Sequence, residues 1–137
     1  IIHREVLKAA ANTSRAAASS AALSLRDLPA DFNSLDLSTP TAALSAALGL
    51  FNTLVAGAAG AMRYTARGAT LTLLGQVLSV DARHAATLAG LATAPSALDP
   101  STTGPDARNR ALTPAQTATA LNALIQSGSR LLTASLP

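Results

Sequence analysis

The sequence contains no cysteine and no tryptophan, and its aromatic side chains are limited to Phe32, Phe51 and Tyr64. The absence of cysteine excludes a disulfide framework, thiol catalysis and cysteine-ligated zinc or iron–sulfur clusters. The scarcity of aromatic residues argues against an all-β fold, because β-branched and aromatic side chains are the ones that cover a pleated sheet.

Charge is also scarce, at 12% of residues, and the net charge of +3 comes from ten basic residues that form no run. Without a basic patch or interleaved aromatic residues, we expect no nucleic-acid partner. No segment reaches about 18 consecutive apolar residues, the length of a membrane span. The most apolar segment, 42–62, is interrupted by Ser45, Asn52 and Thr53, so we expect no membrane span.

Alanine and leucine are abundant, with 33 and 23 copies among 137 residues. Alanine has the highest helix propensity, and its small side chain lets helix axes approach one another. The length suffices for one domain with a modest core. These features predict a single all-α domain over residues 1–137.

Helix boundaries follow from proline and N-cap residues. Asp27 and Pro29 end a first helical segment, and Thr39-Pro40 and Thr113-Pro114 each place an N-cap before a proline at the first helical position. The predicted elements are helix 1–26, helix 39–67, helix 68–92, loop 93–112, short helix 113–126 and tail 127–137. We expect the tail to be mobile or wrapped on a partner.

Two of these helices carry apolar residues with alternating spacings of three and four, which is typical of a bundle seam. A short join at 63–68 predicts that they form an antiparallel hairpin. Gly57 and Gly60 leave room for a close neighbour. The predicted seams are Leu44, Leu48, Phe51, Val55, Ala58 and Met62 in one helix, and Leu71, Leu74, Leu78, Asp81, Ala85 and Leu88 in the other.

Asp81 and His84 are the one local pair with candidate chemistry. Residues three apart share a side of a helix, so these side chains can reach one another or one ion. In helical bundles an acid and a histidine at this spacing supply part of a dinuclear metal site. The alternative is a surface ion pair, although Asp81 occupies a seam position otherwise filled by leucine and alanine.

The run from Gly75 to Leu88 resembles the last core helix of desiccation-related ferritin-like proteins, which carry a Val-Glu-Ala-Arg-His-Ala-Ala stretch there. The most specific part is Val80–Ala86, and segments 30–36 and 112–114 also resemble that family. The resemblance implies a ferritin-like antiparallel helical bundle with three core helices and a short C-terminal helix. It also implies that the first helix of the bundle would precede Ile1.

The resemblance assigns metal-ligand positions to Glu5, Asp81 and His84. Lys8 stands where the family has a histidine, and Phe51 stands where it has a glutamate. A ferritin-type dinuclear site needs four carboxylates and two histidines, whereas this chain offers two carboxylates and one histidine. We therefore expect no cofactor and a vestigial site, in which Lys8 or Arg83 neutralises Asp81 or Glu5. Weakly bound iron, manganese or zinc is the alternative.

No residue pattern predicts a catalytic or cofactor-binding site. We expect a non-enzymatic, structural and self-assembling protein that forms a homo-oligomer, because a hairpin with a short third helix leaves an apolar stripe uncovered. The alternative is a weak metal-binding or stress-protective protein that uses Glu5, Asp81 and His84. Secretion is implied only by the resemblance, and in that case the Asn12-Thr13-Ser14 sequon would accept a glycan. His3 is expected to be solvated.

Overall fold

The computed structural model describes residues 29–92 and 110–131, together with 133, 134 and 136. Over this part of the chain the protein is all-α, with three helices and no β-strand. The helices are α1 (Pro40–Ala61), α2 (Gly68–Ala92) and α3 (Pro114–Asn122). Short 3₁₀ turns follow α1 and α3, at Met62–Tyr64 and Ser127–Ser129. The predicted helix 1–26 lies outside the described residues, as does most of the predicted loop 93–112.

Both Thr-Pro signals mark helix starts, as predicted. The Thr39 hydroxyl accepts a hydrogen bond from the Ala42 backbone N–H at 3.1 Å, and Pro40 opens α1. At α3, the Thr113 hydroxyl accepts from the Gln116 backbone N–H at 3.2 Å, and the Gln116 side chain accepts from the Thr113 N–H at 2.9 Å. This reciprocal capping box satisfies two backbone donors that a helix start leaves unpaired.

Helices α1 and α2 pack against each other as the predicted hairpin, joined by the 3₁₀ turn and residues 65–67. Val55 and, in α2, Asp81 and Ala85 are buried seam residues. The other predicted seam positions are only half-buried. Ala56, outside the predicted seam, is also buried, because α1 packs against α3 as well as α2.

The α3 helix and the residues before it dock on α1 at two glycines. The Leu112 N–H donates to the Ala56 carbonyl at 2.9 Å, and the Leu112 carbonyl lies where a Cβ of Gly60 would be. A Cβ on Gly57 would lie 2.6 Å from the Thr117 methyl carbon. The prediction that Gly57 and Gly60 admit a close neighbour is therefore confirmed, and the neighbour is segment 112–117.

The C-terminal end of α3 differs from prediction. The α3 helix ends at Asn122 rather than at 126, because the following residues bond elsewhere. The Gln126 N–H donates to the Pro29 carbonyl at 3.1 Å, and an antiparallel bridge joins Ala30 to Ile125.

The start of the predicted tail is also held on the domain rather than free. The Asn122 side chain donates to the Leu131 carbonyl at 2.9 Å and accepts from the Leu131 N–H at 2.7 Å. These two bonds hold the chain at 131 against the end of α3.

The α1 helix with its 3₁₀ extension, Pro40–Tyr64, is long and apolar enough by length and composition to cross a membrane, with a mean hydropathy of 1.6. The polar interruptions at Ser45, Asn52 and Thr53 do not prevent this. A core helix of a soluble protein passes the same test, but only 6% of this helix's most apolar window is buried.

Candidate functional site

Asp81 and His84 lie on one side of α2, but in different environments. The Asp81 side chain is 11% exposed and the His84 side chain is 54% exposed, and the His84 Nδ1 lies 4.0 Å from an Asp81 carboxylate oxygen. Three residues turn an α-helix through about 300°, which leaves the two side chains about 60° apart around its axis. Asp81 therefore faces the hairpin interior, while His84 lies at its edge.

Phe51 of α1 packs on this pair from the neighbouring helix. Its ring meets the imidazole of His84 edge-to-face, with centroids 5.3 Å apart and planes inclined at 73°. Such aromatic contacts contribute about 0.5–1.5 kcal/mol beyond the burial of area. The position at which the resemblance implied a carboxylate is thus filled by a ring that contacts the histidine. The sequence placed Phe51 in the predicted seam of its helix, but it did not predict that His84 is the partner of Phe51.

The predicted neutralisation of Asp81 or Glu5 by Lys8 or Arg83 is only partly visible in the structure. Asp81 has a further hydrogen-bonding or electrostatic partner, so this buried carboxylate is satisfied. Arg83, predicted as one neutralising cation, is exposed. Glu5 and Lys8 lie outside the described residues, so an ion pair between Lys8 and Asp81 stays a prediction.

Asn12 and His3 also lie outside the described residues. The sequon at Asn12 and the solvated position of His3 remain predictions for the same reason.

The donor set does not fit a dinuclear metal centre. Among the residues that the structure describes, no three acidic or histidine side chains form a group that could hold an ion. Two other described carboxylates lie in the connection before α1, residues 30–39, and form hydrogen bonds within it. Asp31 accepts from the Asn33 N–H at 3.0 Å, and Asp36 accepts from the Ser38 N–H at 3.0 Å. Asp81 and His84 supply two ligands, and Glu5 would make three, against the six of a ferritin-type centre.

A shallow groove of about 330 Å³ lies between the connection before α1, α1 itself and α3, and sequence reasoning did not predict it. Its walls are mostly apolar. The sequence signal for it is Gly49, a small exposed residue in the middle of α1. The lining residues are Ser34, Leu35, Ala46, Gly49, Leu50, Thr53, Ala120, Leu121, Ala123 and Leu124.

Comparison with known proteins gives one finding about ancestry. No curated protein and no solved structure matches the chain significantly. Residues 1–94 match the family profile of the ferritin-like domain, which spans more than half of the sequence and includes α1, α2 and the pair Asp81–His84. The chain therefore belongs to the ferritin-like domain family.

Proposed function

We propose that this protein is a non-enzymatic, self-associating member of the ferritin-like family with a degenerate metal centre. The observation that carries the proposal is the contact between Phe51 and His84, in which an aromatic ring occupies a position that the resemblance assigns to a metal-binding carboxylate. A phenyl ring has no donor atom for a cation. What remains of the site holds the hairpin together by packing.

The small number of buried apolar side chains supports the self-association. Among the described residues, no large side chain is fully buried, and the buried apolar residues are Val55, Ala56, Val77, Ala85 and Ala118. A helix as apolar as α1, with 6% of its most apolar window buried, leaves hydrophobic surface that is favourably removed from water by a partner. A second copy of the chain carries the same surface, and most oligomers are built from identical copies.

Size-exclusion chromatography with light scattering tests the self-association. We expect a mass that rises with concentration above the 13.7 kDa of one chain. A folded monomer throughout the micromolar range, with the helical signal intact by circular dichroism, would overturn the proposal.

Weak metal binding by Glu5, Asp81 and His84 is a second candidate. The favouring observation is that the His84 nitrogen lies 4.0 Å from the Asp81 oxygen, so a shift of about 0.6 Å brings them to the roughly 3.4 Å that separates two ligands with bonds of about 2.1 Å to a tetrahedral ion. Metal analysis after equilibration with iron(II), manganese(II) or zinc(II) tests it. Stoichiometric metal that is lost in His84→Ala and kept in the matched variant His3→Ala would favour this candidate over the first.

A narrower placement among desiccation-related ferritin-like proteins is also proposed, and it is supported by the segment Val80–Ala86 alone. It carries with it an extracellular location and a stress-protective role. Fractionation of cells that produce the native protein tests the location, and a mass shift on enzymatic deglycosylation that is lost in Asn12→Gln tests the sequon. Recovery of all the protein from the cytoplasm would contradict the extracellular location.

A further inference from the structure

The hairpin has two unlike ends. At the end where α1 turns into α2, the exposed residues include Arg63 and Tyr64, and Arg110 precedes the segment that docks at Gly60. We name Arg63, Tyr64 and Arg110 the turn end. Because α1 and α2 are antiparallel, the start of α1 and the finish of α2 lie together about 33 Å away, the length of the 22-residue α1. We name Asp36, Leu37 and Leu91 the open end.

The turn end carries positive charge and an exposed ring. Segments 61–71 and 110–118 contain no acidic residue, so the guanidinium groups of Arg63 and Arg110 have no carboxylate neighbour within those segments. Tyr64 is 53% exposed beside them. Arg67 lies in the same turn and has a polar partner, and the inference does not use it.

The open end carries negative charge and exposed aliphatic groups. The Asp36 carboxylate accepts hydrogen bonds from the Ser38 N–H at 3.0 Å and from the Ser38 hydroxyl at 2.6 Å, while remaining exposed to solvent. These hydrogen bonds lower the pKa of Asp36 and fix the direction of its charge. Leu37 and Leu91 are 56% and 67% exposed, and segments 36–45 and 85–92 contain no basic residue.

We propose that the turn end of one copy docks on the open end of the next, so that the protein associates head to tail. This inference rests on the proposed self-association and names its interface. Among the residues that the structure describes, each end combines exposed apolar groups with charge of one sign, and the two signs are opposite, which favours the contact between unlike ends and disfavours like with like. Such a contact uses different surfaces on the two copies, and it produces rings or open chains of subunits rather than a two-fold dimer.

Charge reversal at each end tests the interface. Arg63→Glu and Asp36→Lys should each raise the dissociation constant about tenfold, and the effect should shrink in high salt. The double variant Arg63→Glu/Asp36→Lys restores an attraction between positions 63 and 36, although Arg110 keeps its charge, and should associate at least about threefold more tightly than Asp36→Lys alone. Arg83→Glu is the matched control for Arg63→Glu, because both lower the net charge by two and Arg83 is exposed on the middle of α2, so association should be unchanged.

A second open-end variant controls for misfolding, because Asp36→Lys removes the hydrogen bonds to Ser38. Leu91→Lys adds positive charge at a mostly exposed position and leaves those bonds intact. It should weaken association as Asp36→Lys does, and Arg63→Glu should reverse part of that loss. Sedimentation velocity measures the association, and circular dichroism confirms that each variant is helical.

The possible outcomes separate this inference from the proposed function. If the original protein associates and neither reversal weakens it, or if the double variants associate no more tightly than Asp36→Lys or Leu91→Lys alone, the head-to-tail interface is wrong while self-association stands. If the original protein is monomeric, both are wrong. If it is monomeric in buffer and sediments with phosphatidylcholine vesicles, its exposed apolar groups bind lipid, and that too overturns both.

Discussion

Replacement of Gly60 by alanine should disconnect the C-terminal segment from α1. An added Cβ would collide with the Leu112 carbonyl oxygen and lie 2.7 Å from its carbon. Both are backbone atoms, so no side-chain rotation relieves the contact, and residues near 112 must move away from α1. The hydrogen bond from the Leu112 N–H to the Ala56 carbonyl would be lost with them.

The expected change in the free energy of unfolding is the sum of three contributions. The lost hydrogen bond is worth about 1 kcal/mol, and the partial exposure and strained packing of the half-buried Leu112 add about 2 kcal/mol. Against these, alanine is about 1 kcal/mol better than glycine within a helix. We expect Gly60→Ala to lower the free energy of unfolding by about 2 kcal/mol.

Gly49→Ala is the matched control, because it lies in the same helix and nothing lies within 4 Å of an added Cβ there. Only the propensity gain applies, so this variant should be stabilised by about 1 kcal/mol. Urea unfolding followed by circular dichroism, at one fixed protein concentration, measures both. If Gly60→Ala proves as stable as Gly49→Ala, the close approach of Leu112 to α1 is wrong.

Three further variants test the capping and loop contacts. Thr113→Ala removes the capping box of α3 and should lower the free energy of unfolding by about 1 kcal/mol; an unchanged urea midpoint would contradict the cap. The lowered pKa of Asp36 stabilises the fold above the ordinary range of a carboxyl, and this stabilisation is lost as the pH falls through the folded value. An acid titration of stability should therefore be flatter in Asp36→Asn than in the original protein, and identical curves would refute the role of Ser38. Asn122→Ala deletes both bonds to Leu131 and should speed amide hydrogen exchange at Leu131 at least tenfold; unchanged exchange would show that other contacts hold the tail.

The helix starts could be predicted from the sequence because their signals are local. Thr39-Pro40 and Thr113-Pro114 place a side-chain acceptor and a preset φ angle at neighbouring positions, and both act within one turn of helix. The finish of α3 could not be predicted in this way. It depends on Asn122 bonding to Leu131 and on Ile125 pairing with Ala30, which are contacts between separate segments.

The candidate site, too, could be predicted only in part from the sequence. The helical period places Asp81 and His84 on one side of α2, and the seam identifies Asp81 as the buried member. The contact between His84 and Phe51 depends on how far α1 and α2 are shifted along each other. That shift is set by side-chain packing across the hairpin, which one sequence does not reveal. Gly60 is a similar case, since a glycine within a helix indicated a close neighbour but not which segment the neighbour is.

The bonds between the connection before α1 and the residues after α3 have a consequence for the order of folding. The Ser34 hydroxyl donates to the Ala123 carbonyl at 3.0 Å, across a sequence separation of 89 residues. Contacts this distant in sequence carry a large loop-closure entropy and tend to form after local ones. During synthesis, the α1–α2 hairpin can assemble as soon as both helices have left the ribosome, whereas the connection acquires its partners only after residues 123–126 have emerged.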